Sequence, residues 1–344
     1  VNNQDKRQLQ PGDIFDATAT YLPIPVMPNE QYYSSNGLSG LTALNGFVAN
    51  YQQIMIPQGW SIMSTYIDPF NPGIDVVFGA IVSDVIIVKG ELGASYWPAY
   101  GLNLIGNLIV GEVYQIKMEN AAVLEVVGIA VVPELVTITL NLPWSLFGYL
   151  RTTPMDIDAV LSSIGSQIIL VKNGVGNIYW PSYSINMIGN MMPGEGYQAK
   201  VNDVATFSYP ANGPAATAKA EFNYELSYYT DVQNTGSSMT VGLPLSSWVS
   251  LPSVGDEIAV VSNSGIVLGA SVYTGANMAI TVWGDDAVTT ELEGVSEGEN
   301  FEFRIWNHNT LSVNSLEIST WLEGSNNYEN NGVAVADKVT IDNS

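Results

Sequence analysis

The chain has 344 residues, more than one ordinary hydrophobic core accommodates, so two to four domains are expected. It carries 33 acidic and 10 basic residues, and a net charge of -23 repels nucleic acid and anionic lipid. Hydrophobic residues make up 47% of the chain, but no apolar run reaches the roughly 18 residues that a membrane helix needs. We therefore expect a folded protein with no nucleic-acid partner and no membrane insertion.

Cysteine is absent and histidine occurs once, at His308. A protein of this size from an oxidising eukaryotic compartment would ordinarily carry disulfides, so the composition favours a bacterial surface. A Cys-His nucleophile pair is impossible, and a Ser-His-Asp triad would have to use His308. Zinc and iron sites of the usual His/Cys type also lack ligands. His308 lies in the polar sequence WNHNTL, which predicts a solvated histidine in a turn.

Residues 1-55 predict an extended N-terminal arm, because prolines interrupt every hydrophobic period there. Only its last part, LSGLTALNGFVANYQQIMI, is apolar enough for a short strand or helix. Side chains such as Phe15, Tyr21 and Tyr33 are too few for a core of their own, so the arm needs a docking surface. We hypothesise that it adds to a sheet edge of a neighbouring subunit and links copies into a polymer; docking on its own chain is the alternative.

A segment at residues 85-118 recurs 83 residues later, at 168-201. A constant offset across several turns and apparent strands indicates that one folding unit was duplicated. We predict repeat module 1 at residues 56-136 and repeat module 2 at 137-210. The matched pairs are Lys89 and Lys172, Trp97 and Trp180, Asn107 and Asn190, Glu112 and Glu195, and Lys117 and Lys200.

Each module is predicted to be a small β-rich unit with one short helix. In module 1 the strand GWSIMSTYI precedes Asn71-Pro72, which offers an N-cap and a proline at the first helical position before IDVVFGAIV. In module 2 Thr153-Pro154 precedes MDIDAVLSSIG in the same way. β-Branched strands, a turn ending in Tyr-Trp-Pro, and a final strand VYQIKM or GYQAKV follow each helix.

A Pro/Ala/Gly-rich stretch at residues 211-220 predicts a linker to a C-terminal domain at 221-344. That domain contains eight strand-like runs separated by short turns, beginning with FNYELSYYT and ending with GVAVADKVTI. Short alternating strands at this spacing predict a β sandwich of the jelly-roll type. The fold class expected for the whole chain is therefore mainly β.

The repeated aromatic residues are the first candidate binding site. Trp97 and Tyr100 in module 1, and Trp180 and Tyr183 in module 2, could form platforms for sugar rings or pack into a seam between modules; the seam is favoured. The repeated lysines are expected to meet Glu112, Glu195 or backbone carbonyls inside each module. A Lys-Asn isopeptide crosslink is a remote alternative.

Acidic residues cluster between Trp283 and Phe303. Their spacing is not that of an EF-hand, which needs alternating ligands, a central glycine and a terminal glutamate. A weak Ca²⁺ site and a merely solvated loop are the two interpretations, with the second favoured. No other cofactor is expected. Carboxylates are numerous enough that a glycosidase-like pair also stays open. The candidate calcium ligands are Asp285, Asp286, Glu291 and Glu293.

The motifs IVK-x-x-x-G-x-x-YWP-[AS]-Y and IGN-x-x-x-GE-x-Y-Q-x-K resemble modules of exported surface proteins of Bacteroidota. The sequences VGDEIAVVSNSGIVLGASVY and GENFEFRIW resemble the β domain that commonly follows those modules. The resemblance covers roughly 280 residues and implies export by the type IX secretion system, with a C-terminal sorting domain cleaved on export. It implies little about activity, because such modules accompany adhesins and enzymes alike.

Duplicated packing-rich modules without a nucleophile-base or metal constellation favour a non-enzymatic extracellular protein of the bacterial cell surface. The expected role is that of a self-assembling structural subunit in a filament, sheath or lattice, or of an adhesive stalk. The alternative from the binding class is a carbohydrate- or Ca²⁺-dependent adhesin that recognises glycans. The alternative from the enzyme class is a carboxylate glycosidase.

Overall fold

A computed structural model describes residues 49-91, 93-213 and 225-342. It is mainly β, with 48% strand and 10% helix, which confirms the predicted fold class. Most of the predicted arm, at residues 1-48, and most of the predicted linker lie outside the described residues. In the described ranges no helix is long and apolar enough to cross a membrane.

Module 1 consists of two sheets packed on one core. Strands β2, β7, β4, β5 and β6 form one sheet in that order, and β1, β8 and β3 form the other. Ile54, Phe78 and Tyr114 are among the side chains buried between them. The elements are β1 Asn50–Ile56, β2 Gly59–Met63, β3 Ile67–Pro69, helix α1 Ile74–Val77, a 3-10 helix Gly79–Asp84, β4 Val85–Gly90, β5 Ser95–Trp97, a 3-10 helix Pro98–Tyr100, β6 Leu102–Asn103, β7 Tyr114–Met118 and β8 Ala122–Ala130.

Module 2 repeats the five-stranded sheet as β10, β16, β12, β13 and β14. Strand β9 pairs with β17, and β11 pairs with β15. Its elements are a 3-10 helix Pro133–Leu135, β9 Thr137–Leu140, β10 Trp144–Gly148, β11 Met155–Asp156, helix α2 Ile157–Val160, a 3-10 helix Ser162–Ile164, β12 Ile168–Asn173, β13 Ile178–Trp180, a 3-10 helix Pro181–Tyr183, β14 Ile185–Asn186, β15 Asn190–Met191, β16 Gly196–Val201 and β17 Ala205–Ser208.

The two modules share details as well as strand order. Strand β4 has an irregular register between Val85 and Ile87, and β12 has the same irregularity 83 residues later. The Tyr114 hydroxyl accepts a hydrogen bond from the Ile109 amide at 2.9 Å, and the Tyr197 hydroxyl accepts the matching bond at 2.9 Å. Equivalent positions of the repeat therefore occupy equivalent positions of one fold, as predicted.

Three local predictions differ from the structure. The short strand or helix expected at the end of the arm is the strand β1, but β1 pairs with β8 and so belongs to module 1 instead of an extended arm. Helix α1 has Gly73 as its N-cap, and α2 has Asp156, whose carboxylate accepts the Asp158 amide; the N-cap of α1 lies two residues later than predicted and that of α2 three residues later. Asn71-Pro72 and Thr153-Pro154 form the turns before the helices. The residue before a proline favours extended backbone, so each helix begins after its proline and not at it.

The C-terminal domain is one seven-stranded sheet in the order β20, β19, β22, β23, β24, β18, β21. The sheet is nearly closed: Gly269 of β20 lies so near the Thr281 carbonyl of β21 that a Cβ would clash. Its interior holds Val241, Ile258 and Phe301. The elements are β18 Ser238–Leu243, a 3-10 helix Leu245–Ser247, β19 Glu257–Ser262, β20 Val267–Val272, β21 Met278–Trp283, β22 Phe301–Asn307, β23 Ser312–Glu323 and β24 Val333–Asp342.

The first run predicted as a strand in this domain, FNYELSYYT, is irregular where it is described. It crosses the outer face of the sheet, and Tyr229 packs on Ala259 and Val261. The buried Glu257 carboxylate holds it, accepting the amides of Ser227 at 2.6 Å and Tyr229 at 2.9 Å. Backbone donors used in this way cannot also belong to a strand ladder.

Modules 1 and 2 join through reciprocal contacts. Ser64 follows β2 and Gly148 occupies the matching position at the end of β10. The Ser64 amide donates to the Gly194 carbonyl at 3.0 Å, and the Gly148 amide donates to the Gly111 carbonyl, the matching group of module 1, at 3.2 Å. The modules thus use the same surface to contact each other, as in a two-fold dimer.

The close approach at this seam requires glycine at position 148. A Cβ added to Gly148 would lie 2.7 Å from Cβ of Ser64 and 3.2 Å from the Gly111 carbonyl oxygen. We expect Gly148→Ala to lower the free energy of unfolding by roughly 1–3 kcal/mol, because the seam must open to admit the methyl group. Urea unfolding measures the effect.

Gly79→Ala is the matched control, since nothing lies within 4 Å of a Cβ built there. It should be neutral or slightly stabilising. Equal unfolding free energies for the two variants would contradict the seam assignment.

Candidate binding site at the junction of the three domains

The repeated aromatic pairs have different environments in the two modules. Trp180 is 2% exposed and belongs to a cluster that joins module 2 to the C-terminal domain, with Ala279 and Val335 among its members. Trp97 is half-buried, and Tyr100 is 75% exposed. Trp180 therefore packs in a seam, but that seam lies between module 2 and the C-terminal domain, whereas the predicted seam lay between the two modules. At Trp97 the equivalent face is uncovered among the described residues.

The seam at module 2 combines close packing with hydrogen bonds. Gly242 packs against the Trp180 ring, where a Cβ would lie 3.0 Å from Cζ3. The Asn277 side-chain amide donates to the Tyr183 carbonyl at 2.7 Å, and the Thr281 hydroxyl donates to the Gly176 carbonyl at 2.6 Å. Both module carbonyls therefore keep a partner when water is excluded from this seam.

Module 1 is attached to the C-terminal domain through Asp286. Oδ2 of Asp286 accepts hydrogen bonds from the Trp60 indole at 2.7 Å and from the Lys117 ammonium at 2.6 Å, while Oδ1 accepts the Val288 amide at 2.9 Å. Burial alone would raise the pKa of Asp286, but the bonds from Lys117 and Trp60 outweigh it, so the pKa is lowered. The carboxylate is a charged anchor between two domains.

The other predicted calcium ligands point to local partners. The Asp285 carboxylate accepts the Glu293 amide at 3.0 Å, Glu293 accepts the Thr289 hydroxyl at 2.5 Å, and Glu291 is exposed. Within the described ranges no three acidic or histidine side chains are grouped so that they could share a metal ion. Calcium binding by this loop stays a prediction.

The expectation that the repeated lysines meet Glu112, Glu195 or backbone carbonyls inside their own module was wrong for Lys117 and Lys172, whose hydrogen-bond partners Asp286 and Ser238 belong to the C-terminal domain. Those glutamates accept the hydroxyls of Tyr114 and Tyr197 at 3.2 and 2.6 Å. Lys89 instead lies over the Trp60 ring, with 4.5 Å from Nζ to the centroid. The sequence contained a signal for this contact. A tryptophan occurs at the equivalent position of both modules, Trp60 in module 1 and Trp144 in module 2, just as the lysine does.

Lys172 occupies the corresponding place in module 2 and is almost fully buried. Its Nζ lies 4.8 Å from the Trp144 centroid and donates to the Ser238 hydroxyl at 3.1 Å. Burial, with a smaller contribution from nearby Lys200, lowers the pKa of Lys172 to about 7. No carboxylate in the described ranges pairs with it. A lysine in such a setting is costly to keep protonated.

A cleft of about 360 Å³ opens where the three domains meet. Equivalent residues of both modules form two of its sides, and the C-terminal domain forms the third. A second pocket, of about 30 Å³, lies beside Lys172 and shares several of these residues. The cleft is lined by Trp60, Lys89, Gly90, Glu91, Gln115, Trp144, Ser145, Leu146, Gln198, residues 235-238, Asp286, Ala287, Asn330 and Asn331.

Hydrogen bonds fix much of this lining. The Gln198 amide donates to the Asn331 side-chain oxygen at 3.0 Å, and the Trp144 indole donates to the Asn331 carbonyl at 3.1 Å. The Asn234 amide joins the modules beneath, donating to the carbonyls of Trp60 at 3.1 Å and Gly174 at 2.7 Å. These hydrogen bonds hold the lining of the cleft in place, which favours binding because little order has to be gained.

His308 is more constrained than predicted. Its Nδ1 lies 2.9 Å from Oδ1 of Asp256, which is itself buried, and the same oxygen accepts the His308 amide at 3.1 Å. The predicted solvated turn is therefore a paired turn at the end of β22. Nothing in WNHNTL reveals this, since Asp256 is 52 residues away.

Comparison with models of protein families, with curated proteins and with solved structures gives no match to this chain. The assignment of the site therefore depends on its geometry.

We expect Asp286→Asn to lower the free energy of unfolding at pH 7 by on the order of 3 kcal/mol, because it leaves the Lys117 ammonium without its counter-ion. Since the folded-state pKa of Asp286 is depressed, its contribution is present above the ordinary aspartate pKa of 3.8 and is lost as pH falls through the lower folded value. The difference between variant and parent should therefore shrink below about pH 4.

Asp68→Asn, on the exposed side of β3, is the control and should have little effect. Parent-like unfolding of Asp286→Asn at pH 7 would show that the anchor is not needed.

A second prediction concerns Lys172. Because its folded-state pKa is about 7 and its ordinary value 10.5, the unfolded chain binds more protons between these values, and stability due to this group rises with pH across that window. Lys172→Met should therefore stabilise the protein more at pH 6 than at pH 9, measured by urea unfolding. Lys338→Met, on the exposed part of β24, controls for charge. A pH-independent difference from the parent would contradict the burial argument.

Proposed function

We propose that this chain is a non-enzymatic extracellular protein of a bacterial cell surface, acting as a self-assembling structural subunit or an adhesive stalk. The observation that carries the proposal is that buried contacts join the three domains into one body: Trp180 at one seam, Asp286 at another, and the reciprocal pairing of the modules at the third. Interfaces between domains of one chain more often permit relative motion.

Composition and resemblance support the same proposal. The acidic, cysteine-free chain and its similarity to exported Bacteroidota modules favour delivery to the cell surface, by the type IX route. Electron microscopy of native material tests the proposal directly. Filaments, sheaths or lattices would support the subunit, whereas dispersed single molecules would leave only the stalk.

The uncovered face of module 1 is the surface that we propose for self-association. Trp97 pairs with Leu102 across β5 and β6, and Tyr100 meets the Trp97 ring edge-on at 4.8 Å. The matching residues of module 2 are covered by the C-terminal domain. We propose that residues 1-40 of a neighbouring copy cover this face and link subunits, because that segment carries large apolar side chains in a length too short for a core.

Assembly followed by light scattering tests this proposal. Deleting residues 1-40, or introducing Tyr100→Ser with Leu102→Ser, should each abolish assembly, because each removes one side of the same contact. Tyr51→Ser with Val123→Ser is the matched control: these residues are 69% and 41% exposed, against 75% and 37% for the test pair. Assembly of the deletion protein at the parent rate would remove the arm from the mechanism.

A binding protein is the second candidate function, favoured by the junction cleft. A glycan array separates a carbohydrate-dependent adhesin from a purely structural subunit. A carboxylate glycosidase is the remaining alternative, and a polysaccharide activity screen addresses it.

A further inference from the structure

We propose that the junction cleft binds a hydroxyl-rich carboxylate, of the uronic acid class, alone or at the end of an oligosaccharide. Four observations carry this proposal: the size of the cleft, the lysines around it, its hydrogen-bonding groups, and the presence of equivalent residues from both modules in its lining. It does not depend on the proposed self-assembly, because the cleft lies entirely within one copy of the chain.

The size of the cleft fits a small ligand. Its volume of about 360 Å³ falls in the range of roughly 300–1,000 Å³ that is usual for small-molecule sites. It also lies at a junction of domains, where such sites are frequent.

Lysines are concentrated at this junction although the protein as a whole is acidic. The chain has 10 basic residues against 33 acidic ones, yet Lys89, Lys117, Lys172 and Lys200 all lie at or beside this junction. The facing acids are Asp286, which Lys117 neutralises, and Glu91 at the rim, which accepts the Leu146 amide. Because Lys117 and Asp286 neutralise each other, a lysine left without an acidic partner at this junction favours an anion.

Lys89 is the group best placed to meet that anion. It lines the cleft, lies over Trp60, and has no carboxylate within salt-bridge distance among the described residues. The two charges nearest to it, Asp286 and Lys117, already pair with each other, so a ligand carboxylate would supply the direct partner that Lys89 lacks among the described residues. An ammonium bound to a carboxylate forms a stronger bond than a neutral donor does.

The uncharged lining accounts for the hydroxyl groups of the ligand. Gln115 and Gln198 come from equivalent positions in the two modules, and both line the cleft. Ser237 and Asn331 line the third side. Amides and hydroxyls offer both donors and acceptors, which is what the alternating hydroxyls of a sugar need. A simple carboxylate such as acetate would leave most of them unused.

Isothermal titration of the full chain with galacturonate and glucuronate tests the proposal, with galactose, glucose and acetate as comparison ligands. We expect at least one uronate to bind at least tenfold more tightly than the neutral sugar of the same configuration and than acetate. Binding should weaken as NaCl is raised. Equal affinity for the neutral sugar would overturn recognition of the charge, and equal affinity for acetate would overturn recognition of the hydroxyls. No heat with any of the five would overturn the proposal as a whole.

Two variants locate the site. Lys89→Met should weaken uronate binding at least tenfold, and Gln115→Leu should weaken it while retaining the preference for the anion. Lys338→Met, remote from the cleft, removes the same charge and should bind as the parent does. Thermal unfolding without ligand verifies that each variant is folded. Parent-like binding by a folded Lys89→Met protein would place the ligand elsewhere, whatever the outcome of the assembly experiments.

Discussion

The reciprocal contact between the modules is the constraint from which the rest of the architecture follows. Because both modules use the same surface to meet, their other surfaces are presented in equivalent pairs. Among the described residues, one further domain contacts those pairs. It covers the Trp180 face of module 2, and no described residue of that domain covers the Trp97 face of module 1 in the same way. Duplication gives two equivalent faces, and packing of the C-terminal domain on one of them makes their environments different.

The same asymmetry explains why matched lysines have different partners. Lys117 and Lys200 are equivalent, but only Lys117 reaches Asp286, because the acidic loop of the C-terminal domain approaches module 1. Lys172 lies under the C-terminal domain and loses its water, whereas Lys89 stays at the open cleft. One residue type thus serves as an ion-pair partner, a buried base and an available cation. The difference arises from the third domain and not from the modules themselves.

The repeat, the fold class and the equivalence of Trp97 with Trp180 could be predicted from sequence, because a fixed offset carries the whole local fold with it. The partners of Asp256 and Asp286 could not. Each meets a residue at long sequence separation, 52 residues for His308 and 169 for Lys117, and periodicity carries no information about such contacts. FNYELSYYT was misread for a related reason: its pattern fits a strand, but the Glu257 carboxylate takes the amides that a ladder would need.

One sequence signal for the seam was nevertheless present. Where the modules meet, one copy of a matched position is glycine and the other carries a side chain: Gly148 against Ser64, and Gly196 against Val113. A Cβ on Gly196 would lie 2.5 Å from Cγ1 of Val113, so near the seam both partners of a matched pair cannot be large. In this chain the surface on which the duplicated unit pairs with itself has therefore lost side chains on one side only. At Gly148 and Gly196 the glycine that breaks the repeat lies where the two copies touch.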